Sequence, residues 1–219
     1  LESVADNYLE KRSEECFGKG PTRVQRVGHT VDELLMKNRS TRGYHKDFVV
    51  SPEMLTQIVS VNTRIPSARN QQALRFKLVT KETGAEQVLS AVKMGAALPE
   101  LHLPFPGTEP EAFVIVCSEK SDPMTYIDLG ISLQSMLLKA VEMGLNGLII
   151  CSFNKKKIEE AFDLQGLEPR AVLCIGKGAE QFQLQPITAA ESHAYYRQET
   201  ERGTVHVVPK VKLNNLLIE

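Results

Sequence analysis

Three runs in this chain, Phe113–Cys117, Leu148–Cys151 and Ala171–Ile175, are apolar at every position. A strand with one wet face alternates polar and apolar residues. A run apolar on consecutive positions belongs to a strand covered on both faces. Any fold of this chain must therefore place material on two sides of a sheet. The longest helix candidate, about Met124 to Met143, carries Ile127, Ile131, Met136, Leu137, Leu138 and Val141, apolar on most sides and so expected to be central. Gly144 is its expected stop.

The remaining segments fill in around these. Residues 1 to 16 read as a charged amphipathic helix with Val4, Tyr8 and Leu9 on a narrow stripe, ended by Gly18, Gly20 and Pro21. Residues 1–28 are expected to form a helical arm, and 29–219 the main domain. Thr30 is positioned to cap a short helix through Leu34, Leu35 and Met36. Ser51-Pro52-Glu53 places a capping hydroxyl, a first-turn proline and an acid in helix-start order. Met54, Leu55, Ile58, Val59 and Val61 then give an inner face that ends near Thr63. Phe76–Val79 reads as a strand and Glu86–Met94 as a helix. Leu98–Pro110 is a Pro- and Gly-rich loop. Asn154 is positioned to cap a helix carrying Ile158, Ala161 and Phe162. Val205–Val208 reads as a short last strand, and the span from Gly176 to Thr204 as a peripheral tail. Strands alternating with helices give a layered α/β or α+β domain, with the strand order left open.

Composition narrows the function classes. Of 219 residues, 42% are hydrophobic and 24% charged, which excludes wholesale disorder. With 26 basic and 27 acidic residues the net charge is −1, so nucleic acid is not an expected partner. Lys139, Glu142 and Asn146 interrupt the most apolar region, and no membrane partner is expected. No basic segment followed by an apolar run opens the chain, so no signal peptide is expected. The four cysteines form no CxxC pair, and three lie in apolar runs, so reduced thiols and a cytoplasmic location are expected. The histidines are scattered without HExxH or a Cys/His cluster, and no zinc site is expected.

Neither GxGxxG nor GxxxxGK[ST] occurs, which disfavours a dinucleotide Rossmann domain. Arg39-Ser40-Thr41-Arg42 offers two forked cations and two hydroxyls, suited to a phosphate; a basic helix end facing water has the same composition. Pro66-Ser67-Ala68-Arg69-Asn70-Gln71-Gln72 has small residues for close backbone approach and amides that both donate and accept. That suits a heteroaromatic edge, and equally a polar connecting loop. Gly144-Leu145-Asn146-Gly147 before an apolar strand can present backbone N–H groups, or simply turn the chain. No Ser/His/Asp or Cys/His arrangement can be read, and Asp128 and Glu142 read as a cap or surface charges rather than an acid/base pair. His206 reads as a half-buried strand residue, and Tyr195-Tyr196-Arg197 as packing or subunit contact.

In this order, these segments resemble the FMN-dependent nitroreductase family. Asn38-Arg39-Ser40-Thr41-Arg42-Gly43-Tyr44 is similar to its RRSxRxF opening, and Pro66 to Gln72 to its PSAxNxQ loop. Asp128 to Leu138 resembles its D-x-G-x-x-x-Q-x-x-L-L helix. Gly144 to Gly147 with Ile149 to Phe153 is similar to the family's turn and strand after that helix, and Val205 to Lys210 resembles the HxVPK ending of one branch. The likeness spans roughly residues 30 to 213.

The resemblance implies an α+β three-layer sandwich, a mostly antiparallel central sheet flanked by helices. It implies a homodimer with one FMN at each side of the interface and a C-terminal tail that embraces the partner. Arg39, Ser40 and Arg42 would hold the phosphate and ribityl chain, with Lys210 as a second cation. Ser67, Asn70 and Gln72 would address the ribityl chain and ring edge, with Pro66 and Ala68 lining that loop. The backbone of Ile149, Ile150 and Cys151 would lie near the reactive ring nitrogen. The implied activity is ping-pong hydride transfer from NADH or NADPH to a nitroaromatic or quinone acceptor, without an obligatory catalytic side chain. Two departures stand out: Asn38 replaces the first arginine of the opening motif, and Asn146 and Cys151 replace glycines. They motivate the rival expectation, a non-catalytic flavin-binding or cofactor-free protein that retains the fold.

Overall fold

The structure is a computed structural model that describes residues 29–95, 101–201 and 203–218. The arm expected over residues 1–28, with Cys16, lies outside the described residues, as do residues 96–100, the last three of which open the Pro-rich loop.

Helix α1 (Val31–Lys37) starts where Thr30 and Glu33 form a reciprocal cap. Thr30 Oγ1 accepts from the Glu33 N–H at 3.2 Å, and Glu33 Oε2 accepts from the Thr30 N–H at 3.0 Å. Helix α2 (Pro52–Val59) is capped by Ser51, whose Oγ accepts from the Met54 N–H at 3.3 Å, and it tightens into a 3-10 turn at Ser60–Thr63. Strand β1 (Arg75–Val79), helix α3 (Ala85–Ala91) and strand β2 (Ala112–Ser118) come next. The central helix α4 (Pro123–Glu142) is capped by Asp122, whose Oδ1 accepts from Met124 and Thr125 N–H at 2.9 and 3.2 Å. It ends at Gly144, where φ is +75°, and the Leu145 N–H reaches back to the Ala140 carbonyl at 2.8 Å. Then come β3 (Asn146–Ile150), α5 (Lys155–Ala161) and β4 (Glu168–Gly176).

The first sheet is antiparallel throughout, in the order β1-β2-β4-β3. Every residue of β2 is buried. Its odd and even positions serve different cores. Phe113, Ile115 and Cys117 pack with Val88 and Ala91 of α3 and with Ile158 of α5. Ala112, Val114 and Val116 pack with Leu55 and Ile58 of α2 and with Leu129, Leu133 and Met136 of α4. A fully buried large apolar side chain contributes roughly 1.5–3 kcal/mol, so helices on both faces are the energetically required arrangement. This is the three-layer α+β sandwich.

The span expected to be a peripheral tail holds two strands. β5 (Gln181–Ile187), β6 (Tyr196–Thr200) and β7 (Gly203–Val211) form a second sheet in the order β5-β7-β6. β5 runs parallel and β6 antiparallel to β7. In β5, Phe182 and Leu184 alternate with glutamines, the pattern of a strand covered on one face. In β6 no such alternation exists, and it is held chiefly by its backbone ladder. The last strand is nine residues rather than four. Cys117, Cys151 and Cys174 are free thiols. Burial pushes the Cys117 thiol up to about 11 and Cys174 further still. Among the described residues, no helix is long and apolar enough to cross a membrane.

Candidate functional site

The segment after α1 joins the exposed edge of β3. Ser40 bridges Gly147 in parallel, and the Thr41 N–H donates to the Gly147 carbonyl at 3.0 Å. A β-carbon on Gly147 would lie 2.5 Å from the Cys174 carbonyl oxygen and 2.6 Å from Leu137 Cδ2, so only glycine permits this approach. Thr41 points inward, and the buried Tyr44 hydroxyl donates to its carbonyl at 2.6 Å; burial holds that phenol well above its ordinary pKa. Pinned by Thr41 and Tyr44, the segment presents Arg39, Ser40 and Arg42 to a cleft of about 330 Å³.

The cleft lies between the two sheets. Leu35, Leu137, Ile149 and Val208 give it an apolar lining, and Phe182, Tyr195 and His206 an aromatic one. Among the described residues, Arg39, Arg42 and Lys210 are its charged side chains, and no carboxylate lines it. Arg39 donates to the Leu35 carbonyl, and Arg42 to the Ser40 carbonyl at 3.0 Å and the Tyr195 hydroxyl at 3.5 Å. The Nε atoms of both arginines are buried without a partner, as is Nδ1 of His206. Burial also draws the Arg39 guanidinium below its ordinary pKa, the signature of a cation short of solvation. An anion would supply what the two guanidinium groups lack. The backbone of Arg42 is held from behind: Glu180 Oε2 accepts from the Arg42 and Gly43 N–H groups at 2.5 and 3.2 Å, and Glu180 Oε1 accepts from Arg197 at 2.5 Å.

Five expected site residues meet here: Arg39, Ser40, Arg42, Ile149 and Lys210. The neighbouring Ile150 packs its side chain into the core on the opposite face, and Cys151 stands exposed beyond the end of β3. Pro66, Ser67, Ala68, Asn70 and Gln72 are not among the residues that line the cleft. Their loop is fastened to α4, where the buried Asp128 accepts from the Ala68 N–H at 2.8 Å. Asp128 thus tethers a loop rather than capping a helix. It lies six residues before Gln134 of the cleft wall, roughly 9 Å along the helix axis. Within the loop the Gln72 N–H donates to Ser67 Oγ at 3.2 Å, and the Gln72 amide to Asn70 Oδ1 at 3.1 Å. Arg69, Asn70 and Gln72 all have left-handed φ, 52°, 52° and 47°. That conformation is costly for residues with side chains, and such strain concentrates at functional sites.

Of the departures from the family pattern, Asn38 and Asn146 make structural contacts, while Cys151 is an exposed free thiol. Asn38 donates to Gln134 Oε1 at 3.4 Å, tying the end of α1 to α4, and Asn146 donates to the Lys37 carbonyl at 3.4 Å. Leu35, Gln134, Leu137, Phe182, Tyr195, His206 and Val208 line the cleft without having been expected there from sequence. Two were within reach. In a strand, residues two apart share a face, so Lys210 brings Val208 and His206 with it.

The nitroreductase family model matches residues 35–177, well over half of the chain. A nitroreductase family protein from Clostridium difficile 630 is 25% identical, with 69% of this chain and 86% of that chain covered and a TM-score of 0.55. A proposed nitroreductase from Exiguobacterium sibiricum 255-15, in complex with FMN, is 20% identical, covers 71% of this chain and 91% of its own, and has a TM-score of 0.57. A proposed NAD(P)H:FMN oxidoreductase from Staphylococcus epidermidis ATCC 12228 is 17% identical, with 74% and 92% covered and a TM-score of 0.56. The last two likenesses bear on the fold alone. No significant match is found among curated proteins. With the layered fold, the glycine-threaded edge segment and the family match in agreement, the chain belongs to the nitroreductase family of flavin-dependent oxidoreductases.

Proposed function

We propose that this protein binds FMN in the cleft between its two sheets and uses NADH or NADPH to reduce nitroaromatic, quinone or similar acceptors. The observation that carries the reading is the donor set around one cleft: among the described residues, three cations, no carboxylate, and buried guanidinium N–H groups without partners. Such a set fits a phosphate, since charge-assisted, forked contacts to phosphate are among the strongest hydrogen bonds. The volume of about 330 Å³ lies at the small end of ligand sites, which run from about 300 to 1,000 Å³. Arg39, Ser40, Arg42 and Lys210 would hold the phosphate and ribityl chain, and Leu137 and Ile149 would exclude water. The chemistry supplied by the bound group is hydride exchange, NAD(P)H giving a hydride and leaving before the acceptor takes it. No side chain is assigned an acid or base step.

The loop from Pro66 to Gln72 enters the same reading through a second copy of the chain. It does not line the cleft of its own copy, and apolar residues are exposed on α1, on the first turns of α4 and at the end of the chain. Val31 and Met36 on α1, Met124, Tyr126 and Ile127 on α4, and Leu213, Leu216, Leu217 and Ile218 at the end of the chain all face outward. A homodimer that covers them would bring one copy's loop toward the other copy's cleft, and the C-terminal residues are the natural embracing segment.

An absorbance spectrum of the purified protein tests the reading. Flavin bands near ~450 nm that bleach on anaerobic addition of NADH or NADPH, and return with a quinone, are the expected result. A colourless protein that takes up no added FMN would overturn it in favour of a cofactor-free member. A yellow protein that NAD(P)H does not bleach would leave a flavin-binding module without turnover.

A further inference from the structure

A second cleft of about 350 Å³ lies along the same face of the second sheet. It shares Arg42 and His206 with the first, and adds Arg197, Glu180, Gln181, Thr204, Thr108, Phe105 and Leu103. The registers explain the sharing. Phe182 and Arg197 are the direct partners of His206 on either side, so the three form one row across the sheet. Val208 and Lys210 continue from that row toward the first cleft, and Thr204 toward the second. Across the row lies Arg42, its guanidinium 5.3 Å from the centre of the Tyr195 ring. The two clefts are therefore compartments of one groove that meet at Arg42 and His206.

The second compartment has chemistry of its own. Arg42 and Arg197 are its cations. Among the described residues its one acid is Glu180, already engaged by Arg197 and by two backbone N–H groups. The Arg197 Nε is buried without a partner. The Arg197 guanidinium lies over the Phe105 ring, 5.1 Å from its centre, and Phe105 as a residue is 39% exposed beside the cleft. Leu103 adds apolar surface, and the Thr108 and Gln181 side chains add neutral polar groups. Inorganic phosphate alone would leave the phenyl and leucine surface unused. A group that joins a flat heteroaromatic ring to a phosphate uses all of it, packing its ring against the Arg197–Phe105 pair and Leu103 and meeting Arg197 and Arg42 with its charge.

We propose that this second compartment binds the adenosine phosphate of a dinucleotide. The source is either the adenylate half of FAD, continuing past Arg42 from a flavin in the first compartment, or the adenylate half of NAD(P)H. The inference deepens the function proposed above and rests on it for what the first compartment holds.

Binding titrations of the full chain, stripped of flavin, separate the cases, with AMP, FMN, FAD and NADPH as ligands. Phe105→Ala removes the aromatic half of the Arg197–Phe105 pair at a partly exposed position, and Arg197→Lys keeps the charge opposite Glu180 but loses the fork. AMP is expected to bind the parent and to bind both variants at least about tenfold more weakly, a factor worth about 1.4 kcal/mol. FMN affinity is expected to be unchanged in Phe105→Ala. If FAD binds the parent tighter than FMN and Phe105→Ala erases the difference, the source is the flavin dinucleotide. If FAD and FMN bind alike while Phe105→Ala weakens NADPH, the source is the nicotinamide dinucleotide. No AMP binding by the parent, with FAD, FMN and NADPH indifferent to both substitutions, would overturn the inference and leave the FMN reading intact. AMP binding that depends on Phe105 without any FMN binding would support this compartment and overturn the flavin reading.

Discussion

At the level of single residues, the groove is a problem of donors without acceptors. Arg42 satisfies part of its guanidinium on the Ser40 carbonyl and the Tyr195 hydroxyl, yet its Nε is buried and unpaired. Replacing Arg42 by Ala removes one charge-assisted contact to phosphate, worth about 1.5–3 kcal/mol. FMN affinity, read by quenching of flavin fluorescence, is expected to fall roughly 10- to 100-fold, the same energy expressed as a binding ratio. An unchanged affinity would place the phosphate elsewhere. His206 presents the opposite case. It is 4% exposed, stacked on Phe182 at 5.4 Å, and burial lowers its pKa, partly offset by Glu180. The fold thus favours the neutral ring. As pH falls through the unfolded value of about 6.5, the unfolded chain takes up a proton that the fold resists, so stability drops. Urea midpoints between about pH 7 and 5.5 are expected to decline less in His206→Phe than in the parent. An identical decline in both would remove His206 as the cause.

Among the elements, the contrast is between segments held by their own side chains and segments held by distant ones. The starts of α1, α2 and α5 are legible in sequence, because Thr30, Ser51 and Asn154 each cap within three residues, whereas the Asp122 cap of α4 emerged only in the structure. β6 is not legible, because Tyr196–Thr200 has no apolar alternation and depends on pairing with β7. The loop from Pro66 to Gln72 depends on Asp128, 60 residues beyond the Ala68 that it holds. Asp128→Ala leaves the Ala68 N–H without its acceptor and is expected to destabilise the protein by about 1–3 kcal/mol in urea unfolding. With three left-handed residues no longer supported, trypsin is expected to cut faster after the exposed Arg69. Asp128→Asn, which keeps an oxygen acceptor, is expected to show a smaller effect on both measures; equal effects would assign the loss to charge instead.

For the molecule as a whole, the proposed homodimer would cover apolar residues that both cores leave exposed. Leu216 and Leu217 are each 64% exposed next to the fully exposed Ile218, and the proposed dimer assigns them to the second copy. The double substitution Leu216→Glu and Leu217→Glu is expected to convert a dimer to a monomer in sedimentation, with the helical circular dichroism retained. FMN binding is expected to weaken with it, since the loop at Pro66 would lose its partner cleft. A variant that sediments as the parent does would mean that the C-terminal residues hold no second copy.

The layered core was already implicit in the order of residues. Consecutive apolar positions in Phe113–Cys117 and Ala171–Ile175 leave no solvated face, so helices on both sides follow from burial. The candidate phosphate contacts Arg39, Ser40 and Arg42 were equally visible there, because one short segment carries all three. Which other residues join them emerged only from the folded chain. Phe182, Tyr195 and His206 reach the groove through the second sheet and its flanking turn, and Gln134 through the packing of α4 against α1. Local chemistry is written in neighbouring residues, whereas a cleft is made by segments whose proximity depends on the free energy of the whole fold.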